Sequence, residues 1–453
     1  IFTINYRGDI MENISDNKKD RNSKLPIVPK QYRVHFIMLI SCFVLWGLLN
    51  NMTDNLVPAF GRIFMLEAAN ASMTQVAFYG SYAVLALPAA ILIKKYSYRT
   101  GVLVGLGLYI IGAMGYIPAA MLQNFNLFLL SVFVLAGGLS ILETTCNPYV
   151  ISLGDEETSV RRLNLAQAFN PIGSLSGIIL AKYLILSHLN PATYEDRIAM
   201  SPEALSQIRS NELLWVCVPY VGLVIIAIVI WMFFKRSKDS EKDMSGDLNI
   251  LDSIKKLIKI PRYAFGVIAQ FFYVGVQISV WTWTIQYVMT TVGLNEADAA
   301  QYYLIAIVLF IACRWICTAL MKYIEPALMM AVFAVGGILA SLGTIYLPTS
   351  QSVWCLVTIS ACMSLMFPTI YGIALKDLGE EVKVGAAGLI MAILGGAVIT
   401  PIMGRFIDNG ILSSITPMFN GAEAAVRSSF LIPIICFSIV LIYSLCFRSK
   451  KSV

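Results

Sequence analysis

The sequence predicts an all-α membrane protein, with twelve transmembrane helices in two six-helix pseudo-symmetric halves. Three observations lead there. Hydrophobic residues make up 58% of the chain and charged residues only 13%, against roughly 25% charged in an average soluble domain. Twelve apolar runs reach the length of about 20 residues that a spanning helix needs, and none has the weak alternation of a membrane β-barrel. One long polar stretch divides the runs six and six. The mean hydropathy of +0.73 agrees with lipid as the solvent.

In chain order the runs lie at 36–58, 74–93, 100–121, 126–152, 162–187 and 213–234, then at 263–289, 298–321, 327–347, 352–375, 385–408 and 428–447. The expected divisions are therefore a polar N-terminal tail (1–35), a first half (36–234), a linker (235–262), a second half (263–447) and a short tail (448–453). No apolar core precedes a small-residue cleavage site in the N-terminal tail, so no cleavable signal is expected. Met11 reads as a start, with residues 1–10 upstream of it. The linker carries an amphipathic piece, ILDSIKKLIKI, suited either to joining the halves or to lying on the membrane surface. SPEALSQIRSNE, in the longest loop of the opposite face, reads as a short surface helix.

Lysine and arginine orient these helices. Of 33 such residues, 26 fall in one set of loops and in the two tails, four fall in the opposite loops, and three fall inside helices. The positive-inside rule then makes both termini cytoplasmic. The +6 net charge follows from that asymmetry and does not point to nucleic acid; the lipid bilayer is the expected partner and a monomer the expected state. A weak internal repeat, PAAILIKKYSYRTGVL against CTALMKYIEPALMMA and NPYVISLGDEE against FPTIYGIALKDLGEE, supports the division into halves.

Several chemistries are excluded. There is no GxxxxGK[ST] loop, so ATP is not the energy source, and no HExxH or GxSxG. An enzyme is not expected. Nine cysteines are scattered without a CxxC and read as small apolar residues. No metal site and no cofactor are expected. A proton is the expected coupling ion, and sodium stays open because carboxylates and amides also ligate it.

Charged side chains at membrane depth are costly and usually face a cavity or a partner. Glu143 lies some 17 residues into its predicted helix, with Asn147 one turn beyond. Burial disfavours the charged form of a carboxyl group, so such a residue can load a proton on one side of the membrane and release it on the other. Asp54 falls on a stripe with Trp46 and Asn50, with Asn51 flanking it. An indole packs on the C–H face of a sugar ring while amides and a carboxylate bind hydroxyls. A second reading puts Asp54 at the outer interface, beside Pro58.

In the fifth run Asn164, Gln167, Asn170 and Ser174 form a roughly coherent amide face suited to a polyol, or to interhelical hydrogen bonding. Pro171 and its small neighbours should bend this helix and admit a close partner. In the seventh run Gln270, Tyr273, Gln277 and Trp281 face one way, mixing aromatic and amide groups as a sugar site requires. Arg314 reads as a cation that bonds helix ends or an acidic group. Lys182 reads as a structural residue that snorkels. Lys94, Lys95 and Arg99, in the turn KKYSYRTG, read as gating charges that close the cytoplasmic side.

WGLLNNMTDNLVP, SILETTCNPYV, RRLNLAQAFNPIG and YVGVQISVW resemble the fucose:proton symporter family of the major facilitator superfamily, over about residues 36–447. The resemblance implies that Asp54 and Glu143 are the membrane carboxylates of sugar recognition and proton coupling. It implies further that Trp46, Asn51, Gln167, Asn170, Gln277 and Trp281 line the central cavity. It therefore predicts symport of a small-molecule sugar by alternating access, across the inner membrane of a bacterium. One departure matters. Where the family pattern has Gln-Tyr before the proline of the tenth helix, this chain has Met366-Phe367, which leaves L-fucose, another hexose and N-acetylglucosamine all open. A drug/proton antiporter would need an amide-poor cavity, and a sugar sensor would need a long signalling tail.

Overall fold

The computed structural model describes residues 25–54, 56–66, 73–192, 194–236, 250–294, 296–411 and 413–448. Among the described residues there is no strand, and twelve helices are long and apolar enough to cross a membrane. The first six are α1 (Lys30–Thr53), α2 (Val76–Lys95), α3 (Tyr98–Met121), α4 (Phe125–Ser152), α5 (Glu156–Ile185) and α6 (Pro202–Arg236). The second six are α7 (Pro261–Val292), α8 (Asp298–Leu320), α9 (Pro326–Tyr346), α10 (Thr349–Leu375), α11 (Gly379–Asp408) and α12 (Gly421–Cys446). Twelve crossings bring Lys30 and Cys446 to the same side of the bundle, called here the terminal face.

Two boundaries differ from the expectation. The α-helix Arg33–Asp54, which forms most of α1, ends short of the expected 58, and a separate helix, Leu56–Ile63, follows it. Pro58 therefore sits in the first turn of the new helix, where its missing N–H costs no hydrogen bond. SPEALSQIRSNE is not a separate surface helix, because α6 runs unbroken from Pro202. In the linker, residues 237–249 lie outside the described residues, whereas Ile250–Ile258 is the expected amphipathic helix. The tails 1–24 and 449–453 also lie outside them.

Capping explains where several helices start and stop. Ser97 accepts the amide of Thr100 at the start of α3, and Asn124 accepts that of Leu127 at the start of α4. Pro261 opens α7, and Gly293, at φ +77°, closes it in the left-handed conformation, which glycine adopts without strain. Arg162 is fully buried and donates to the carbonyls of Val150, Ile151 and Gly154. It thereby satisfies the acceptors that the end of α4 leaves open.

Within the first six helices α5 packs closely on α1. Side chains at Gly47, Gly173 or Gly177 would collide with the backbones of Asn170, Val44 and Leu48. Small residues allow this approach in lipid, where packing rather than water exclusion drives association. The last six helices assemble around α7, with α10, α11 and α12 against it. The two sets meet chiefly where the terminal-face segment Val382–Met391 of α11 packs on α2 and α4, and where Met366–Leu375 of α10 packs on Ser159–Gln167 of α5. A Cβ on Gly372 would lie 3.0 Å from a methyl group of Val160, so this seam is closed.

A candidate sugar and proton site between the two sets of helices

Three polar groups on α1, α2 and α4 begin the site. The Trp46 indole donates to the Tyr82 hydroxyl at 2.6 Å. Trp46, Asn50 and Asn51 are half-buried on α1, and the Asn51 amide donates to the Gly47 carbonyl at 3.2 Å. Of Asp54 only the backbone, at the end of this helix, is described; its side chain lies outside the described residues. Glu143 is 3% exposed, and neither carboxylate oxygen has a hydrogen-bond partner among the described residues. Tyr82 and Tyr371 lie within its electrostatic reach.

A chain of amides leads away from that carboxyl group. Asn147 donates to the Glu143 carbonyl at 2.9 Å, and Gln167 donates to Asn147 Oδ1 at 2.7 Å. The expected amide face of α5 is not kept, because the α-helix is interrupted between Gln167 and Asn170. Asn164 turns to the other set of helices and donates to Thr369 Oγ1 at 3.2 Å. Asn170 is half-buried and donates to the Phe43 carbonyl of α1 at 3.2 Å, and Ser174 bonds back to the Asn170 carbonyl. Three of the four side chains that one stripe would align thus serve three different neighbours, and the fourth, Ser174, bonds within α5.

The α7 stripe holds its direction because that helix is unbroken. Tyr273 donates to the Met363 carbonyl at 3.1 Å and Trp281 to Ser360 Oγ at 3.1 Å, both on α10. Gln277, between them, is half-buried. Gln270 is fully buried, with both amide atoms unpartnered among the described residues. Phe367 is 8% exposed, stacks on Tyr371 at 6.2 Å and faces Tyr273 edge-on at 6.3 Å. The first six helices therefore present carboxyl and amide groups, and the last six present aromatic rings with isolated amides.

The expected gating charges separate. Lys94 is 5% exposed and reaches Ser253 Oγ of the linker helix at 2.8 Å and Glu381, in the first turn of α11, at 3.8 Å. It joins the two sets of helices. Lys95 is exposed and lies over the Tyr96 ring. Arg99 donates to the Phe234 and Lys235 carbonyls of α6, inside the first set. Arg314 bonds carbonyls at two helix interruptions, those of Gln167 and Ser364. Among the described residues no three His, Cys, Asp or Glu side chains are grouped to hold a metal ion.

Sequence reasoning did not single out Tyr82, Ser360, Thr369, Ser253 or Glu381. A lone hydroxyl in an apolar run carries no periodic signal, and Ser253 and Glu381 gain meaning only when Lys94 is placed beside them.

A family model described as Major Facilitator Superfamily matches residues 34–401. The chain is 40% identical to the L-fucose-proton symporter of Haemophilus influenzae, over 94% of this chain and 98% of that one. It is 31% identical to a glucose/galactose transporter of Brucella abortus, over 92% and 94% respectively. It superposes on the crystal structure of the transporter FucP in the outward conformation with a TM-score of 0.82 and 32% identity, covering 93% of this chain and 100% of that one.

Proposed function

The chain belongs to the Major Facilitator Superfamily, and from that premise we propose that it is a proton-coupled sugar symporter that imports L-fucose or a related monosaccharide by alternating access. The observation that carries the reading is Glu143, a carboxyl group at membrane depth whose two oxygens have no partner among the described residues. A fixed ion pair would hold such a group in one charge state; Glu143 is able to change it. Protonated, it loses the charge that makes crossing costly. Deprotonated, it resets the carrier. Inward movement of one positive charge gains about 2.3 kcal/mol per 100 mV of membrane potential.

The sugar binds between the wall of Trp46, Asn50, Asn51 and Asp54 and the wall of Tyr273, Gln277, Trp281 and Phe367. Asn147, Asn164, Gln167 and Asn170 belong to the same site, chiefly by fixing its helices. Both termini face the cytoplasm, as the Lys and Arg distribution supports. The closed terminal-face seam then corresponds to a carrier shut toward the cytoplasm, with Lys94 as the gating charge.

A second reading, transport of glucose or galactose, is favoured by one observation. Met366 and Phe367 leave the start of this α10 segment without an amide or a phenol, and a glucose/galactose transporter is among the relatives. Uptake into proteoliposomes decides between the readings, with labelled L-fucose, galactose, glucose and N-acetylglucosamine under separate proton and sodium gradients. The expected outcome is L-fucose accumulation driven by the proton gradient alone. Accumulation under sodium only, or of no monosaccharide at all, overturns the proposal.

A further inference from the structure

Arg314 lies deep in α8, 4% exposed, and among the described residues its hydrogen bonds go to two backbone carbonyls. Its Nε donates to the Ser364 carbonyl at 2.5 Å and its Nη1 to the Gln167 carbonyl at 3.2 Å. These carbonyls share an origin. In an α-helix the carbonyl of residue i accepts the N–H of residue i+4. Four residues beyond Gln167 stands Pro171, and four beyond Ser364 stands Pro368; proline has no N–H to give. Each proline thus frees one carbonyl at membrane depth, where no water is at hand to bond it. One carbonyl belongs to α5, in the first six helices, and the other to α10, in the last six. A single planar guanidinium, with its rigid fork of donors, satisfies both. The Phe310 ring, one turn earlier on α8, lies 4.6 Å from its central carbon.

Beyond Gln167 the contacts continue to the carboxyl group. Gln167 donates to Asn147, and Asn147 donates to the carbonyl of Glu143 itself. We infer that Arg314 is a positioning residue: it clasps α5 to α10 through the two proline-freed carbonyls, and through Gln167 and Asn147 it links closure of the seam to the α4 segment that carries Glu143. What Glu143 does in this inference rests on the proposed symport. Opening of the terminal face separates Ser159–Gln167 from Met366–Leu375 and must break one of the two bonds. The clasp therefore sets how much of the carrier is closed there, and its release alters the support of Glu143 in the same movement.

The test uses the full chain with its native cysteines replaced and a reporter, Thr369→Cys, at a fully buried seam position facing Asn164. Labelling by a membrane-impermeant maleimide from the terminal face measures opening. Arg314→Gln is expected to raise the labelling rate about tenfold, a shift of about 1.4 kcal/mol in the opening equilibrium, and Arg314→Lys to give an intermediate rise. Pro171→Ala combined with Pro368→Ala keeps Arg314 but restores an amide donor to each carbonyl, and it is also expected to raise labelling. The pH midpoint of proton-driven uptake should move in the same order.

Labelling that stays within about twofold of the parent in all monodisperse variants overturns the clasp. A rise in Arg314→Gln without one in the proline pair overturns the role of the freed carbonyls. Labelling that moves while the pH midpoint stays fixed overturns the link to Glu143. If Arg314→Gln does not fold, the proline pair still tests the clasp. Labelling needs no sugar, so a parent that labels as expected but transports no L-fucose refutes the proposed function and leaves the clasp standing.

Discussion

A carboxyl group can remain in a helix at membrane depth only if it is neutral, paired or serving a moving charge. Glu143 has no hydrogen-bond partner among the described residues, so no fixed hydrogen-bonded pair holds it among them. Glu143→Gln, locked neutral and nearly isosteric, is therefore expected to abolish accumulation against a gradient. Sugar exchange between equal pools should persist within about threefold, because neutralising the group removes the cost of crossing. Counterflow and net uptake in the same vesicles check this, and full accumulation by the variant would remove Glu143 from coupling. Asp54→Ala is expected to weaken sugar binding by about 1.5–3 kcal/mol, the worth of hydrogen bonds to a charged group; unchanged affinity by calorimetry would place Asp54 outside the site. Glu143 was legible in the sequence because it stands alone, 17 residues into an apolar run. The Trp46–Tyr82 bond was not, since it joins residues 36 positions apart.

At the scale of elements α5 shows which signals survive folding. FNPIGSLSG announces an interruption and a close neighbour, and both exist: the α-helix breaks before Asn170, and Gly173 and Gly177 meet the α1 backbone. Gly173→Leu is therefore expected to destabilise the protein by at least about 1–3 kcal/mol, the usual cost of overpacking. Thermal unfolding in detergent reads the effect, and an unchanged midpoint would mean that α1 and α5 do not touch there. The same interruption undid a second expectation. An amide face at i, i+3, i+6 and i+10 requires continuous 3.6-residue periodicity, and the break turns Asn164, Gln167 and Asn170 toward α10, α4 and α1. On α7, which has no internal proline and keeps its period, Tyr273 and Trp281 both reach α10 as a single face requires.

At the scale of the whole molecule, one ion pair among the described residues crosses the seam largely out of solvent. The Lys94 and Glu381 side chains are 6% and 17% exposed at 3.8 Å, and Ser253 adds the linker helix to the pair. Glu381 also keeps Lys256 of the linker helix at 3.5 Å, so it is the buried Lys94 that loses its acidic partner when the pair is broken. Lys94→Glu alone should slow uptake by about tenfold or more, and the exchange Lys94→Glu with Glu381→Lys should recover most of it, since paired charges are not additive. Initial uptake rates of the two single variants and the double variant measure the coupling. Additive losses would show that the pair does not act as one unit. Lys95 and Arg99, from the same turn, carry no such expectation, because one lies on a neighbouring tyrosine and the other holds α6.

Apolar run length and charge asymmetry are local properties that lipid enforces on every helix separately, so the sequence by itself determined the solvent, the twelve crossings and the buried carboxyl group. Pro171 and Pro368 also lay in plain view, each certain to free a carbonyl. Which donor those carbonyls take, which neighbour each α5 amide serves, and that Lys94 meets Glu381 are relations between helices far apart in the chain. Only the tertiary structure decided them, because a hydrogen bond or an ion pair depends on distance in space, and lipid gives the chain no periodic pattern that records it.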